Sequence, residues 1–304
     1  MKPLRKRIKY TVIYWFILAL IHTTNLFPRI WVLKTTGWLG RVAFWMIKEA
    51  RLTTIENLTS VFGEKMTPQE IKALAQQVFE MIGKNAGDII RGFPIKQLEK
   101  LERFVKVEGE ENLIAAHAKG NGVVLISGHI GAFEFMGTYL GLKGYRPLGI
   151  GTILKDERLN QLLVANRTSR GSISIERGKE TFKILKTLKT GGVVALFIDQ
   201  DTKVKSRFIN FLGKPAATPI GGTIMAQKTG AAVVPIYITM QPDFSQLISI
   251  YPEVKMQCTG NTEQDLVHNT QLISDSIEHV IRECPSQWIW MHERWKTQPG
   301  EEIR

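Results

Sequence analysis

Cysteine is nearly absent from this 304-residue chain: only Cys258 and Cys284 occur, far apart. With no CxxC spacing and no histidine at a ligand interval, they exclude a disulfide framework or a cysteine metal site, and read as reduced thiols. No G-x-S-x-G segment is present, so nothing signals a serine elbow for covalent catalysis. Repeats and low-complexity stretches are missing as well. Composition is that of a globular chain, 44% hydrophobic and 22% charged, long enough for one large core.

Acid is scarce in one place. Residues 1–51 carry ten basic residues against a single acid, Glu49, a balance of +9, while the other 253 residues carry 30 bases against 27 acids, or +3. The overall charge of +12 therefore belongs to the N-terminal segment. That segment is also apolar: "YTVIYWFILALIHTTNLF" (10–27) has no charged residue except for the titratable His22, and Trp31, Trp38 and Trp45 follow among cations. Cations interleaved with tryptophan around an apolar run suit an anionic bilayer surface. A nucleic-acid binder would spread its cations over the folded body, and no nucleic-acid partner is expected. Eighteen residues make about 27 Å of helix, marginal against a hydrocarbon core of about 30 Å. The expectation is a retained membrane anchor over 1–51, with cations from Lys2 to Lys9 on the cytoplasmic side, and a second unit over 52–304.

The body reads as α/β. "TPQEIKALAQQVFEMIGKNAGDII" (67–90) is an amphipathic helix with Thr67 as N-cap, Pro68 in its first turn and Glu70 closing a capping box. From residue 103 onwards, short apolar runs alternate with helical periods. Strands are expected at "RFVKVEG", "GVVLIS", "RPLGIGTI", "SISIE", "GGVVALFID", "AAVVPIYITM" and "QLISIYPEV". Helices are expected over 110–119, from near Gly131, and over 156–169, 178–190, 218–229 and 263–283, with a long loop before 218. Such a pattern predicts a mainly parallel central sheet covered by helices on both faces.

Ligands gather at the carboxyl ends of strands in such sheets. Two stretches fall there: "SGHIGAFEFMG" (127–137) after "VVLIS", and "DQDTKVKSRF" after "VVALFI". His129 and Glu134 stand five positions apart, roughly 140° around a regular helix, so they share no helical face. They can meet if His129 lies in the turn and Glu134 inside the helix. The histidine would then be a base and the glutamate its orienting partner, with Gly128 and Gly131 leaving space for a substrate. Asp199 and Asp201 end the second strand and suit an arginine contact, loop ordering or substrate contact. No third ligand accompanies them, so no metal is expected. His117 and His268 read as surface histidines on helices.

In order along the chain, "GHIGAFE", "NRTSRGSISIERG", "FIDQD", "FLGKPAATPIGGTIMAQKTGAAVVPIY" and "WIWMHERWK", with the apolar-basic start, resemble the bacterial lipid A biosynthesis acyltransferases of the lysophospholipid acyltransferase superfamily. The likeness spans nearly the whole chain, and "GHIGAFE" matches the family's HX4(D/E) motif. It implies a glycerolipid acyltransferase-like fold. By it His129 is the general base that deprotonates an acceptor hydroxyl, Glu134 is its orienter, and no acyl-enzyme forms.

The acyl donor would be an acyl carrier protein or coenzyme A thioester, with no further cofactor. The acceptor would be a hydroxyl of a membrane lipid A precursor at the cytoplasmic face of the bacterial inner membrane. Arg170 and Arg177 fall where the family places basic residues and suit lipid phosphates; Arg167 receives no role. Phe211 and Gly213, within "NFLGKPAATP", are expected to shape the pocket as wall and turn, and Trp288 to close the core. Two alternatives fit the same residues. One is an acyltransferase of this fold acting on a lysophospholipid, a phosphatidylinositol mannoside or an aminolipid; the other is a non-enzymatic basic membrane-binding protein.

Overall fold

The computed structural model describes residues 4–178 and 180–301; Lys2, the first of the expected N-terminal cations, lies outside them. Three helices open the chain, α1 (Leu4–Thr23), α2 (Arg29–Met46) and α3 (Lys48–Phe62), followed by the long α4 (Pro68–Gly92) and the short α5 (Leu98–Glu102). The α/β body then runs β1 (Val105–Glu108), α6 (Glu110–Ala118), β2 (Val123–Ser127), α7 (Glu134–Leu142), β3 (Leu148–Gly151), α8 (Glu157–Thr168), β4 (Ile173–Glu176), α9 (Thr181–Lys189) and β5 (Val193–Phe197). After it come β6 (Ser206–Phe211), β7 (Lys214–Pro219), α10 (Gly221–Thr229), β8 (Ala232–Met240), β9 (Gln246–Ile250) and α11 (Thr262–Glu283).

A seven-stranded sheet in the order β1-β9-β8-β2-β5-β3-β4 forms the centre. Its ladders are parallel except for β8 against β9. Strand β2 is buried along its whole length, as its unbroken apolar run requires. Its alternate residues feed two cores: Val124 and Ile126 face one, Val123 and Leu125 the other. The second core is covered by α7 through Phe135, Met136 and Leu140.

Helix α4 is capped as its sequence prescribes, with Thr67 and Glu70 bonding reciprocally to each other's backbone. It is the spine for the N-terminal helices. Helix α2 lies so close to it that a Cβ built on Gly40 would be 2.1 Å from the Phe79 carbonyl oxygen, and one on Gly83 2.2 Å from that of Thr36. Leu33 and Phe44 of α2 and Leu58 of α3 are fully buried. A buried ion pair adds to the seam: Arg29 Nε donates to Asp88 Oδ1 at 2.7 Å, and Gln246 of β9 donates to the same carboxylate. Residues 29–62 thus pack directly onto the body.

Among the described residues no helix is long and apolar enough to cross a membrane. Apolar surface remains on the outer faces, however. Ile8, Val12, Trp15 and Phe16 of α1, at helical spacing, are exposed. On α2, Trp31, Trp38 and Trp45 recur every seven residues along the exposed face, while Leu33, Gly37, Gly40 and Phe44 line the buried one.

Where a loop was expected before residue 218, the chain makes an antiparallel hairpin, β6 against β7, turning through Leu212 (φ 54°) and Gly213 (φ 89°). Positive φ at both central residues fits the strand twist. Pro215 and Pro219 mask the second strand in the sequence. A two-stranded ribbon tolerates them because its outer edge needs no N–H. Helix α10 correspondingly begins at Gly221 rather than at 218.

Candidate active site

Strands β2 and β5 are parallel neighbours, with Ser127 opposite Phe197. Two residues past each strand end stand His129 and Asp199, so the register itself brings them together. Asp199 Oδ1 lies 2.9 Å from His129 Nδ1, and Oδ2 accepts the backbone N–H of His129 at 2.7 Å. The indole Nε1–H of Trp288 donates to the same Oδ2 at 2.8 Å. Asp199 is 1% exposed. The carboxylate at the imidazole is therefore Asp199, where sequence reasoning expected Glu134.

Electrostatics follow from this geometry. Burial alone would raise the Asp199 pKa, but the charge of His129, its two hydrogen bonds and the Trp288 bond hold it down to about 2. At His129 burial pulls the pKa down. The Asp199 charge and hydrogen bond outweigh that and leave it above the ordinary histidine value, with Arg177 opposing and Glu134 assisting. An ionised Asp199 accepts at Nδ1, which fixes the tautomer with Nε2 unprotonated. Nε2 has no hydrogen-bond partner among the described residues. The ring packs against Phe197 and Phe133, at centroid distances of 4.8 and 5.3 Å, and these two rings also touch each other at 5.4 Å.

Glu134 opens α7 and is held by Arg167 of α8 through both carboxylate oxygens, with Arg167 Nε donating to Oε2 at 3.0 Å. The two expected glycines also do other work. A Cβ on Gly128 would be 3.3 Å from the Asp199 carboxyl carbon, so its absence admits Asp199 rather than substrate. Gly131 adopts φ 59°, and a Cβ there would be 2.2 Å from the Ile238 carbonyl oxygen.

A cavity of about 560 Å³ opens beside this pair, lined by His129, Glu134 and Arg167 near the reacting groups and by Met136, Leu140 and Ile236 among its apolar residues. Its size and apolar walls are those of a site for a small hydrophobic molecule. Of the expected substrate contacts, Arg177 lines this cavity and is exposed. Arg170 also lines it, yet four of its five N–H donors are taken: Nε by Ile95 O, one on Nη1 by Thr138 Oγ1, and both on Nη2 by the carbonyls of Gly92 and Phe93. Burial lowers its pKa to about 10. It ties α4 to α7 and α8.

Asp201 accepts the Thr297 N–H at 2.7 Å and so orders the C-terminal segment. Phe211 and Gly213 do not line the cavity. Phe211 is fully buried against Trp288 and Trp295, with the Arg294 guanidinium over its ring, and Gly213 turns the hairpin. Phe211 belongs to the wall behind Trp288, whereas Gly213 is exposed. Trp288 is buried as expected. No group of three or more His, Cys, Asp or Glu that would suit a metal occurs among the described residues.

Sequence reasoning missed the Asp199 contact, the Arg167 clamp and the Trp288 bond. The one linear signal for the first was that each residue stands just past the end of an apolar run, His129 after "VVLIS" and Asp199 after "VVALFI".

A half-buried imidazole held by a buried carboxylate at the strand ends of a mainly parallel sheet, beside an apolar cavity, has the geometry a base needs next to a hydrophobic substrate. The family described as bacterial lipid A biosynthesis acyltransferase matches residues 1–297, and the chain belongs to it. It is an acyltransferase of that family. The lipid A biosynthesis lauroyltransferase of Escherichia coli K12 is 27% identical over 270 residues, 86% of this chain and 84% of that protein. A phosphatidylinositol mannoside acyltransferase of Mycobacterium tuberculosis CDC 1551 / Oshkosh is 26% identical over 231 residues, covering 74% and 71%. The lipid A biosynthesis palmitoleoyltransferase of E. coli K12 is 28% identical over 211 residues, covering 66% and 64%.

Proposed function

We propose that this protein moves a fatty acyl group from a soluble thioester, of acyl carrier protein or coenzyme A, onto a hydroxyl of a lipid A precursor at the cytoplasmic face of the inner membrane. The observation that carries this reading is His129, oriented by Asp199 at Nδ1, beside an apolar cavity of about 560 Å³. Nε2 takes the proton of the acceptor hydroxyl as its oxygen attacks the thioester carbonyl. The tetrahedral intermediate then collapses, the C–S bond breaks, and the imidazolium returns the proton to the leaving thiolate. A placed base of this kind supplies about 10²–10⁴-fold, and positioning of the two substrates supplies much of the remainder. No covalent enzyme intermediate is required.

Glu134 keeps a supporting part. Its negative charge favours the imidazolium, and its carboxylate holds Arg167 beside the reacting atoms. Arg177, exposed at the cavity, suits a phosphate of the acceptor. Arg170 is committed to the backbone of α4 and is not available for that contact.

Membrane attachment is supported by the exposed tryptophan stripe of α2 and the apolar face of α1. Helix α1 also contacts α8, which lines the cavity through Leu163 and Arg167. Arg158, at the start of α8, donates to Thr11 Oγ1 at 3.2 Å and lies over the Tyr14 ring, and Leu154 just before it lines the cavity while partly exposed. A lipid tail leaving the bilayer would meet the cavity there. An acidic carrier protein could be met by exposed cations such as Lys203 and Lys205, while the neighbouring Arg207 is paired with Glu263.

Phosphatidylinositol mannoside as acceptor is the second reading, favoured by the relatives named for that activity. The deciding assay gives labelled acyl thioester and each acceptor in turn to membranes containing the protein. Label in the lipid A precursor, abolished by His129→Ala with the protein still folded and membrane-bound, is expected. Label in another lipid with the precursor untouched sinks the choice of acceptor.

A further inference from the structure

The cavity exists because side chains are missing from both of its walls. On the sheet side, Leu125 of β2 is opposite Ala195 of β5, and Ala195 is opposite Gly149 of β3. All three belong to the face turned towards α7, since alternate residues of each strand share a face. One transverse row thus steps from leucine to alanine to glycine, and the height above the sheet falls away in the same direction. On the helix side stands Gly137, one turn past Glu134. A Cβ built on Gly137 meets no atom within 4 Å, and one on Gly149 meets only the Ile173 carbonyl oxygen, at 4.0 Å.

All four residues line the cavity. Neither glycine has the positive φ that demands glycine, and neither touches a neighbouring backbone closely. Local structure therefore gives no reason for glycine at these two positions. In the helix interior glycine is unfavourable relative to alanine, and in a strand it also weakens the element. Space is the one thing that both absences provide.

We infer that Gly149, Ala195 and Gly137 form the inner end of the acyl-chain site and set the longest chain the enzyme transfers. This rests on the acyltransferase reading above. From the row Ser127–Phe197, beside His129, to the row Leu125–Ala195–Gly149 is two residues along the strands, about 7 Å. Chain length is read by whether the terminal methylenes fit above Ala195 and Gly149 and under Gly137. A side chain added at either wall takes that volume, and each excluded methylene discriminates about tenfold or more.

The test uses the full chain in detergent micelles, with saturated acyl thioesters of graded length competing in pairs for one acceptor. Gly149→Val and Gly137→Leu fill the space from opposite walls. Each is expected to move the kcat/KM ratio at least tenfold towards the shorter chain. Gly137→Ala should do so less, while raising the melting temperature through its better helix propensity. Folded variants whose length preference matches the wild type overturn the inference.

In parallel, the wild type is photolysed with a donor carrying a diazirine on its terminal carbon. Adducts should map to the peptides of α7, β3 or β5, and adducts elsewhere likewise overturn it. Wild-type protein that transfers no chain from any thioester would instead sink the acyltransfer reading with a thioester donor. Transfer with unmoved preference sinks the cavity end alone.

Discussion

Trp288 and the backbone N–H of His129 donate to the same oxygen of Asp199, at 2.8 and 2.7 Å. The imidazole is thus aligned by a carboxylate that is itself aligned from the far end of the sequence. Trp288 belongs to a C-terminal segment that pairs with the His129 loop, through an Ile130–Trp288 bridge and a bond from Gly131 N–H to Gln287 O.

Trp288→Phe keeps the aromatic bulk and removes one donor to a buried carboxylate. Leaving that oxygen short of a partner should cost about 1–3 kcal/mol of stability. It should also lower kcat without a matching change in KM for the acceptor. Thermal melts and steady-state kinetics check this; an unaltered kcat would make the tryptophan a packing residue only.

The pH dependence has a definite sign. His129 must be neutral to act as base, and its pKa lies above the usual histidine value. Activity should therefore fall with acid through a pKa higher than about 6.5. In Asp199→Asn burial acts without its main opponent, so the acid limb moves to lower pH while the rate drops about 10²–10⁴-fold through loss of orientation. Glu134→Gln should move the limb the same way by a smaller amount. A pH–rate profile for each variant decides; a limb that stays put in Asp199→Asn removes Asp199 from the site.

Stability has its own acid limit. The folded-state pKa of Asp199 is about 2, below the ordinary 3.8. Its contribution is present above that ordinary value and lost as pH falls through about 2. The raised His129 pKa acts in the opposite sense: its contribution is present below the unfolded value and lost as pH rises through the folded one. Melting temperatures across this range, compared with Asp199→Asn, should show a wild-type advantage at pH 5 that closes near pH 2.

Arg170 distinguishes structure from recognition. Its bonds to three carbonyls and Thr138 make Arg170→Met destabilising by about 3 kcal/mol or more. A phosphate-binding arginine would instead raise the acceptor KM at unchanged stability. The expected result is the melt shift. For Arg177→Met the opposite is expected, an increased KM with the melting temperature within a degree or two of the wild type.

If the proposed membrane attachment holds, it should depend on the α2 stripe. Replacing Trp31, Trp38 and Trp45 together by serine should weaken partitioning to anionic vesicles about 10²-fold or more, from about 1–2 kcal/mol per indole withdrawn from lipid. Vesicle sedimentation measures it, and the melting temperature should hold because the three rings are exposed.

The periods of the elements are legible in the residues alone. Short β-branched apolar runs flanked by glycine, such as "GVVLIS", point to strands covered on both faces, and the capping box and Pro68 mark where α4 starts. The sequence also put His129 and Asp199 just past the ends of two such runs, and the ordered motifs carried the family resemblance, with acyl transfer implied by it.

What it left open was who faces whom. Strand β5 lies beside β2 although β3 and β4 intervene in the chain. That adjacency, which gives Asp199 to His129 and leaves Glu134 to Arg167, arises from long-range packing and has no linear spacing to mark it. The same holds for Trp288, 89 positions from Asp199, for the glycines that let α2 touch α4, and for the row in which Leu125, Ala195 and Gly149 line up. Local chemistry sets each element; only the register between elements decides which side chains meet, because its energy comes from burying faces against one another rather than from any residue's own preference.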